Sequence, residues 1–304
     1  MSVTRFAHVI NPVRVEPSSD LFVAQPITFE SMRVAREKAR EDADVTLCAV
    51  YYPEDEEQIP AAFQKLRPLD RSVLDFGEFE VKRKYPLISD ILARLAEAAS
   101  EADYLIYTNV DIVLMPFFYT SLATLLEEGY DALTITRRTI PRIYTSPAEL
   151  SRMYAESGEA HPGHDCFIFR REAVMQYDLG HICIGAHWIG RALELNMICT
   201  ARRYAALKDL HMTFHLGDDR PWKDDRFKVF AQSNRNEIRR ILLRFHSENR
   251  LVDCPESQDL IRRFAPELQG TDGASPAMQR RLPFWQRLRS RSCARAQAPP
   301  ACID

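Results

Sequence analysis

The densest apolar pattern in the chain is Tyr104-Leu-Ile-Tyr-Thr108, which polar Asn109 and Asp111 close off. A run with so few polar breaks predicts a central strand covered on both faces. Shorter runs of the same kind predict strands over residues 6–10, 45–51, 131–136 and 166–169, with a weaker one over 72–76. Between them the apolar positions fall at helical spacing. Phe29, Met32, Ala35 and Ala39 predict a helix starting near Thr28, after a loop over 13–26 rich in Pro, Ser and Asp. Leu87, Ile88, Ile91, Leu92 and Leu95 mark a second helix behind Pro86, and Phe118, Leu122, Leu125 and Leu126 a third that Gly129 can end. Strands alternating with helices imply βαβ units and a mainly parallel sheet.

The second half is less regular. Residues 146–157 read as a helix and His161-Pro-Gly-His-Asp165 as a polar turn. The spacing predicts a helix over 185–196, with Trp188, Ala192 and Leu195 facing inward, and further helices over 236–245 and around 258–264. Residues 209–215 alternate like a strand, with His211, Thr213 and His215 on one face and Met212 and Phe214 on the other. The segment 216–222 turns away from it. From Gly270 the composition shifts to Gly, Ser, Pro, Arg and Ala, which reads as a disordered tail.

Composition adds bounds. At 304 residues, 46% hydrophobic and 27% charged, the chain fits one large α/β domain with a tail, or two small domains. It holds no run of about 18 apolar residues, so no transmembrane helix is predicted, and its N-terminus lacks the apolar core of a signal peptide. Seven cysteines without a CxxC pair point to reduced thiols and a cytoplasmic setting, with Cys48, Cys166 and Cys183 as small core residues. The net charge of −3 hides an asymmetry: from Ala274 onward six arginines and one acid give +5, leaving −8 on the rest. The folded part therefore carries no net basic charge of the kind nucleic-acid binders show.

Missing motifs narrow the chemistry further. No GxGxxG follows a strand, and there is no P-loop, GxSxG elbow or HExxH. The first strand ends in Asn11-Pro12 rather than the Gly-rich loop a nucleotidylyltransferase needs around a triphosphate.

What remains lies at strand ends, where open α/β sheets bind ligands. Asn109 and Asp111 follow the central strand; such residues often just cap a turn, but here one carboxylate can face a hard divalent cation. Asp165 stands ahead of a buried strand, either as a turn residue or as an acceptor-hydroxyl ligand and general base. His211 and His215 would lie about 13 Å apart along a strand, so only one can ligate a given ion. Lys82, Arg83 and Lys84 form either a solvated charge run or a source of positive charge for a diphosphate.

Together, Tyr104-Leu-Ile-Tyr-Thr-Asn-Val-Asp-Ile, Gly163-His-Asp-Cys-Phe-Ile-Phe-Arg, the helix after Gly185 and His211-Met-Thr-Phe-His215 resemble a glycosyltransferase of the GT-A fold. The resemblance covers roughly residues 6–225. It implies a DxD-type motif after the fourth strand whose last acid is Asp111, with Asn109 in place of the first. It also implies Asp165 as the catalytic acidic residue near the acceptor site, a late metal-binding histidine at His215 or His211, and Mn²⁺ or Mg²⁺ with a nucleotide-sugar donor. Asn11, Lys84, Asn109 and Asp111 are then expected on the donor.

The expectation is an α/β, GT-A-like catalytic domain over 1–225, a helical extension over 226–269 and an Arg-rich tail over 270–304. The expected activity is metal-dependent transfer of a sugar to a glycan, lipid-linked sugar or small-molecule hydroxyl. Rival readings are a non-catalytic nucleotide-sugar or glycan binder and a metal-dependent nucleotidyl or phosphoryl transferase. A cytoplasmic location is expected, and the basic, apolar-interleaved segment 280–295 could rest on an inner membrane surface.

Overall fold

In the computed structural model, which describes residues 3–217 and 225–269, the apolar runs become one sheet. Its strands are β1 (Thr4–Ile10), β2 (Ala43–Ala49), β3 (Gln64–Lys65), β4 (Tyr104–Thr108), β5 (Val113–Leu114), β6 (Ala132–Ile140), β7 (Glu159–Arg170), β8 (Tyr204–Leu207) and β9 (Thr213–Leu216). The order across the sheet is β3-β2-β1-β4-β7-β6-β9-β5, with β8 also paired to β6. β1 is parallel to β2 and β4, β2 to β3, and β6 to both β8 and β9. β7 runs antiparallel between β4 and β6, and β5 antiparallel to β9. The sheet is therefore mainly parallel, as expected.

Helices α1 (Asp20–Lys38), α2 (Ile88–Ala98), α3 (Phe118–Glu127), α4 (Leu150–Met153), α5 (Ile189–Thr200), α6 (Lys228–Ser247) and α7 (Pro255–Phe264) complete the fold. Strand alternation divides the core into two layers. On one face Leu105, Tyr107 and Phe167 pack with Ile91, Leu193 and Ile241. On the other, Tyr104, Ile106 and Ile168 pack with Met32, Ala35 and Leu122. This double burial is what the unbroken run at 104–108 requires. The C-terminal helices belong to the first layer, where Phe245, Leu260 and Phe264 share one buried cluster with the sheet. This is a mixed α/β arrangement, with Asn109-Val110-Asp111 following the fourth strand.

Several elements depart from expectation. α1 begins eight residues before Thr28: the Ser19 hydroxyl accepts from the Leu21 amide at 3.3 Å, and Pro26 lies inside the helix. Proline removes one helical hydrogen bond, but burial of Ala24 and Ile27 holds the turn. Residues 72–76 form no strand: Ser72 and Asp75 cap each other around a 3₁₀ turn at Val73–Asp75. Over 146–157 there is only a 3₁₀ turn followed by α4. His161–Asp165 is part of β7 rather than a separate turn, and the β6–β7 register shifts on both sides of Thr136, so that Pro162 sits at an irregularity. α5 begins at Ile189, after Trp188 in a left-handed conformation (φ 82°).

None of the described helices is long and apolar enough to cross a membrane. Cys48, Cys166, Cys183, Cys199 and Cys254 are free, and all but Cys199 are buried. Segment 218–224 and the tail from 270, with its arginines, lie outside the described residues.

Candidate active site

The carboxyl end of β4 is pinned from below. His8 of β1 bonds Thr108 Oγ1 through Nε2 (2.9 Å) and Tyr119 of α3 through Nδ1 (2.8 Å). Its burial pushes the imidazole pKa down to about 3, so it is a neutral strut. Beyond Thr108 the Tyr107 hydroxyl donates to Asn109 Oδ1 at 2.9 Å, aiming that amide.

Asp111 precedes β5, whose pairing with β9 sets Val113 opposite Phe214 and Leu114 opposite Thr213. Continued one residue, that register sets Ile112 opposite His215, so His215 reaches Asp111 diagonally: Nε2 lies 3.2 Å from Asp111 Oδ2. His215 Nδ1 is 2.7 Å from the Gly217 carbonyl, to which it donates. The other carboxylate oxygen, Oδ1, is buried with no hydrogen-bond partner among the described residues. Burial opposes charge on both groups, but their mutual hydrogen bond and attraction outweigh it, raising the His215 pKa and lowering that of Asp111; Arg137 adds to the lowering. A carboxylate with an orphan oxygen beside an imidazole nitrogen suits a divalent ion that takes one or two protein ligands and fills its remaining positions with phosphate and water. No group of three or more His, Cys, Asp or Glu converges on one point among the described residues.

His211 does not join this pair. Asp209 turns left-handed (φ 58°) and β9 begins only at Thr213, leaving His211 in the preceding turn, edge-on to Phe214. It does not line the cleft.

Asp165 is buried and ion-paired to Arg137 at 2.9 Å, with His161 Nδ1 at 3.8 Å. The β6–β7 irregularity sets Arg137 against residues 161–163 and so creates the pair. Asn11 donates from Nδ2 to the Val50 carbonyl at 2.7 Å, tying together the ends of β1 and β2. Lys84 is paired with Glu54 at 2.6 Å and lies 4.0 Å above the Tyr52 ring.

Asn11, Lys84, Asn109, Asp111, Asp165 and His215 all line one cleft of about 930 Å³. Sequence reasoning missed others on its wall. Arg137 was visible only as a basic residue ending a strand. Asp55, whose carboxylate accepts from the Arg14 amide at 2.7 Å and whose pKa burial raises, stood in an ordinary acidic run. His164 bonds Glu194, thirty residues on in sequence, at 3.2 Å, and no local pattern signals that contact.

No protein-family model matches the chain, and no curated protein matches it. Among solved structures it is similar to S. aureus TarS 1–349 in complex with UDP-GlcNAc (11% identity over 77% of this chain, TM-score 0.44). It is also similar to S. aureus TarS (10% over 88%, TM-score 0.48) and to the galactosyltransferase LgtC in complex with donor and acceptor sugar analogues (9% over 76%, TM-score 0.40). The match spans 66% of the TarS 1–349 chain, 44% of the longer TarS chain and 96% of LgtC. At these values none of those ligands is carried over to this chain.

Proposed function

We propose that the chain is a divalent-metal-dependent glycosyltransferase that moves a sugar from a nucleotide-sugar donor to an acceptor hydroxyl. The observation that carries this reading is Asp111 against His215 at the carboxyl end of the central strand, with one carboxylate oxygen unpartnered. These two side chains would hold Mn²⁺ or Mg²⁺, which when bound supplies positive charge to the diphosphate that leaves the anomeric carbon. Asn109, oriented by Tyr107, offers its amide NH₂ to a donor sugar or ribose hydroxyl. Lys84 supplies a cation that can exchange Glu54 for a donor phosphate. Asn11 ties the ends of β1 and β2 together at the floor of the donor side, and Asp165 with Arg137 borders the acceptor side.

The test is thermal: nucleoside diphosphate with Mn²⁺ should raise the melting temperature, and Asp111→Ala should abolish the rise. An unchanged rise in that variant would remove the metal site. Scoring a nucleotide-sugar panel for nucleoside diphosphate, rather than phosphate or pyrophosphate, separates sugar transfer from phosphoryl or nucleotidyl transfer.

A further inference from the structure

Asp165, the carboxylate expected to act as base, has Oδ2 set 2.9 Å from the Arg137 guanidinium. Across the cleft wall a second arrangement has no such competitor. His164 is 5% exposed at its side chain and lines the cleft, with Nε2 3.2 Å from Glu194 Oε1. Glu194 is itself 1% exposed and takes Arg191 on Oε2 at 2.7 Å and the Tyr204 hydroxyl on Oε1 at 3.3 Å. Tyr204 in turn meets Thr134 at 2.9 Å. Burial favours the neutral acid, but His164 and Arg191 outweigh it and lower the Glu194 pKa. An ionised Glu194 takes the proton-bearing Nε2 of His164, which leaves the lone pair on Nδ1. That Nδ1 is buried and makes no hydrogen bond among the described residues. Buried polar atoms without partners are costly, and this one ends a network that is otherwise paired.

The sequence arranges the network through Gly190. A Cβ there would stand 3.0 Å from the His164 carbonyl oxygen, tighter than an ordinary contact, so glycine eases the close approach of α5 to β7. Arg191 and Glu194 follow one and four residues later: from that turn Glu194 reaches His164, and Arg191 braces Glu194.

We infer that His164, oriented by Glu194, and not Asp165, takes the proton of the acceptor hydroxyl. This rests on the glycosyltransferase reading and makes the transfer inverting. The acceptor oxygen bonds to the anomeric carbon as the carbon–oxygen bond to the diphosphate breaks. The hydroxyl proton passes to His164 Nδ1 as the ring turns that buried nitrogen toward the acceptor, the bonding pair leaves with the nucleoside diphosphate, and Glu194 balances the imidazolium. His164 is the catalytic residue and Glu194 a positioning residue.

The experiment uses the nucleotide sugar the wild type turns over, with Mn²⁺, and compares water with azide as acceptor. Water must lose a proton and azide need not. His164→Ala should keep the melting shift with nucleoside diphosphate and Mn²⁺ and lose hydrolysis by roughly 10²–10⁴-fold. Azide should restore nucleoside diphosphate release and give a glycosyl azide of inverted configuration. His164→Gln, which keeps a donor for Glu194, should show the same split and serves if the smaller side chain costs the fold. Glu194→Gln should lower kcat with KM unchanged. Hydrolysis at the wild-type rate in either His164 variant, or equal losses with water and azide, overturns the assignment. A wild type without the melting shift sinks the donor site itself, and this inference with it.

Discussion

Asp111 Oδ2 and His215 Nε2 lie 3.2 Å apart, while His215 Nδ1 lies 2.7 Å from the Gly217 carbonyl. Gly217 accepts the Nδ1 proton, so a neutral His215 turns its Nε2 lone pair on a carboxylate. Two acceptors at that distance are held only by a second proton or by a cation. The raised His215 pKa is the protonated solution. The orphan Oδ1 of Asp111 marks room for the metal-bound one.

The two late histidines should therefore separate cleanly. His215→Ala should weaken Mn²⁺-dependent nucleoside diphosphate binding by more than the roughly 10–100-fold typical of outer-shell changes. His211→Ala should leave it unchanged. Calorimetric titration of the two variants checks this, and equal losses would contradict it.

Arg137 and Asp165, 5% and 9% exposed, form a buried ion pair. Removing one partner strands the other charge, at about 3–5 kcal/mol. Arg137→Met should lower stability in urea by that order, and adding Asp165→Leu should recover part of the loss. A double variant no better than the single one would show that the two do not couple.

His8 gives the fold an acid limit. Its folded pKa is about 3 against an ordinary 6.5, because burial disfavours the charged ring. Below 6.5 the unfolded chain takes up a proton that the folded chain refuses. The stability contributed by neutral His8 is thus present above 6.5 and is lost as pH falls toward 3, at about 1.4 kcal/mol per pH unit. Denaturation midpoints measured from pH 7 to pH 4.5 should fall less steeply in His8→Gln. Parallel slopes would contradict this.

How much could be read in advance depended on whether a feature was local. The strand at 104–108 and the helix behind Pro86 announced themselves because burial on both faces, or on one, writes directly into the spacing of apolar residues. α1 was cut short on paper because Pro26 and the Ser/Asp run before it look like loop, while the burial that overrides them is tertiary. Placing His211 on one strand face with His215 assumed a strand from residue 209, whereas Asp209 turns left-handed and β9 begins only at Thr213. Asp165 beside Arg137 depends on a β6–β7 irregularity, and His164 beside Glu194 on the close approach that Gly190 permits. Neither has a sequence period to betray it.

Sugar transfer at an Asp111–His215 metal site is tested by a single release assay. Wild type and Asp111→Ala are incubated with a panel of nucleotide sugars, with Mn²⁺ and with chelator, and the released nucleotide is identified. The account predicts nucleoside diphosphate from at least one donor with the wild type and Mn²⁺, and release reduced at least 100-fold by chelator or by Asp111→Ala, as expected when charge stabilisation at the leaving group is lost. Release that is unaffected by Asp111→Ala, or pyrophosphate in place of nucleoside diphosphate, would contradict it.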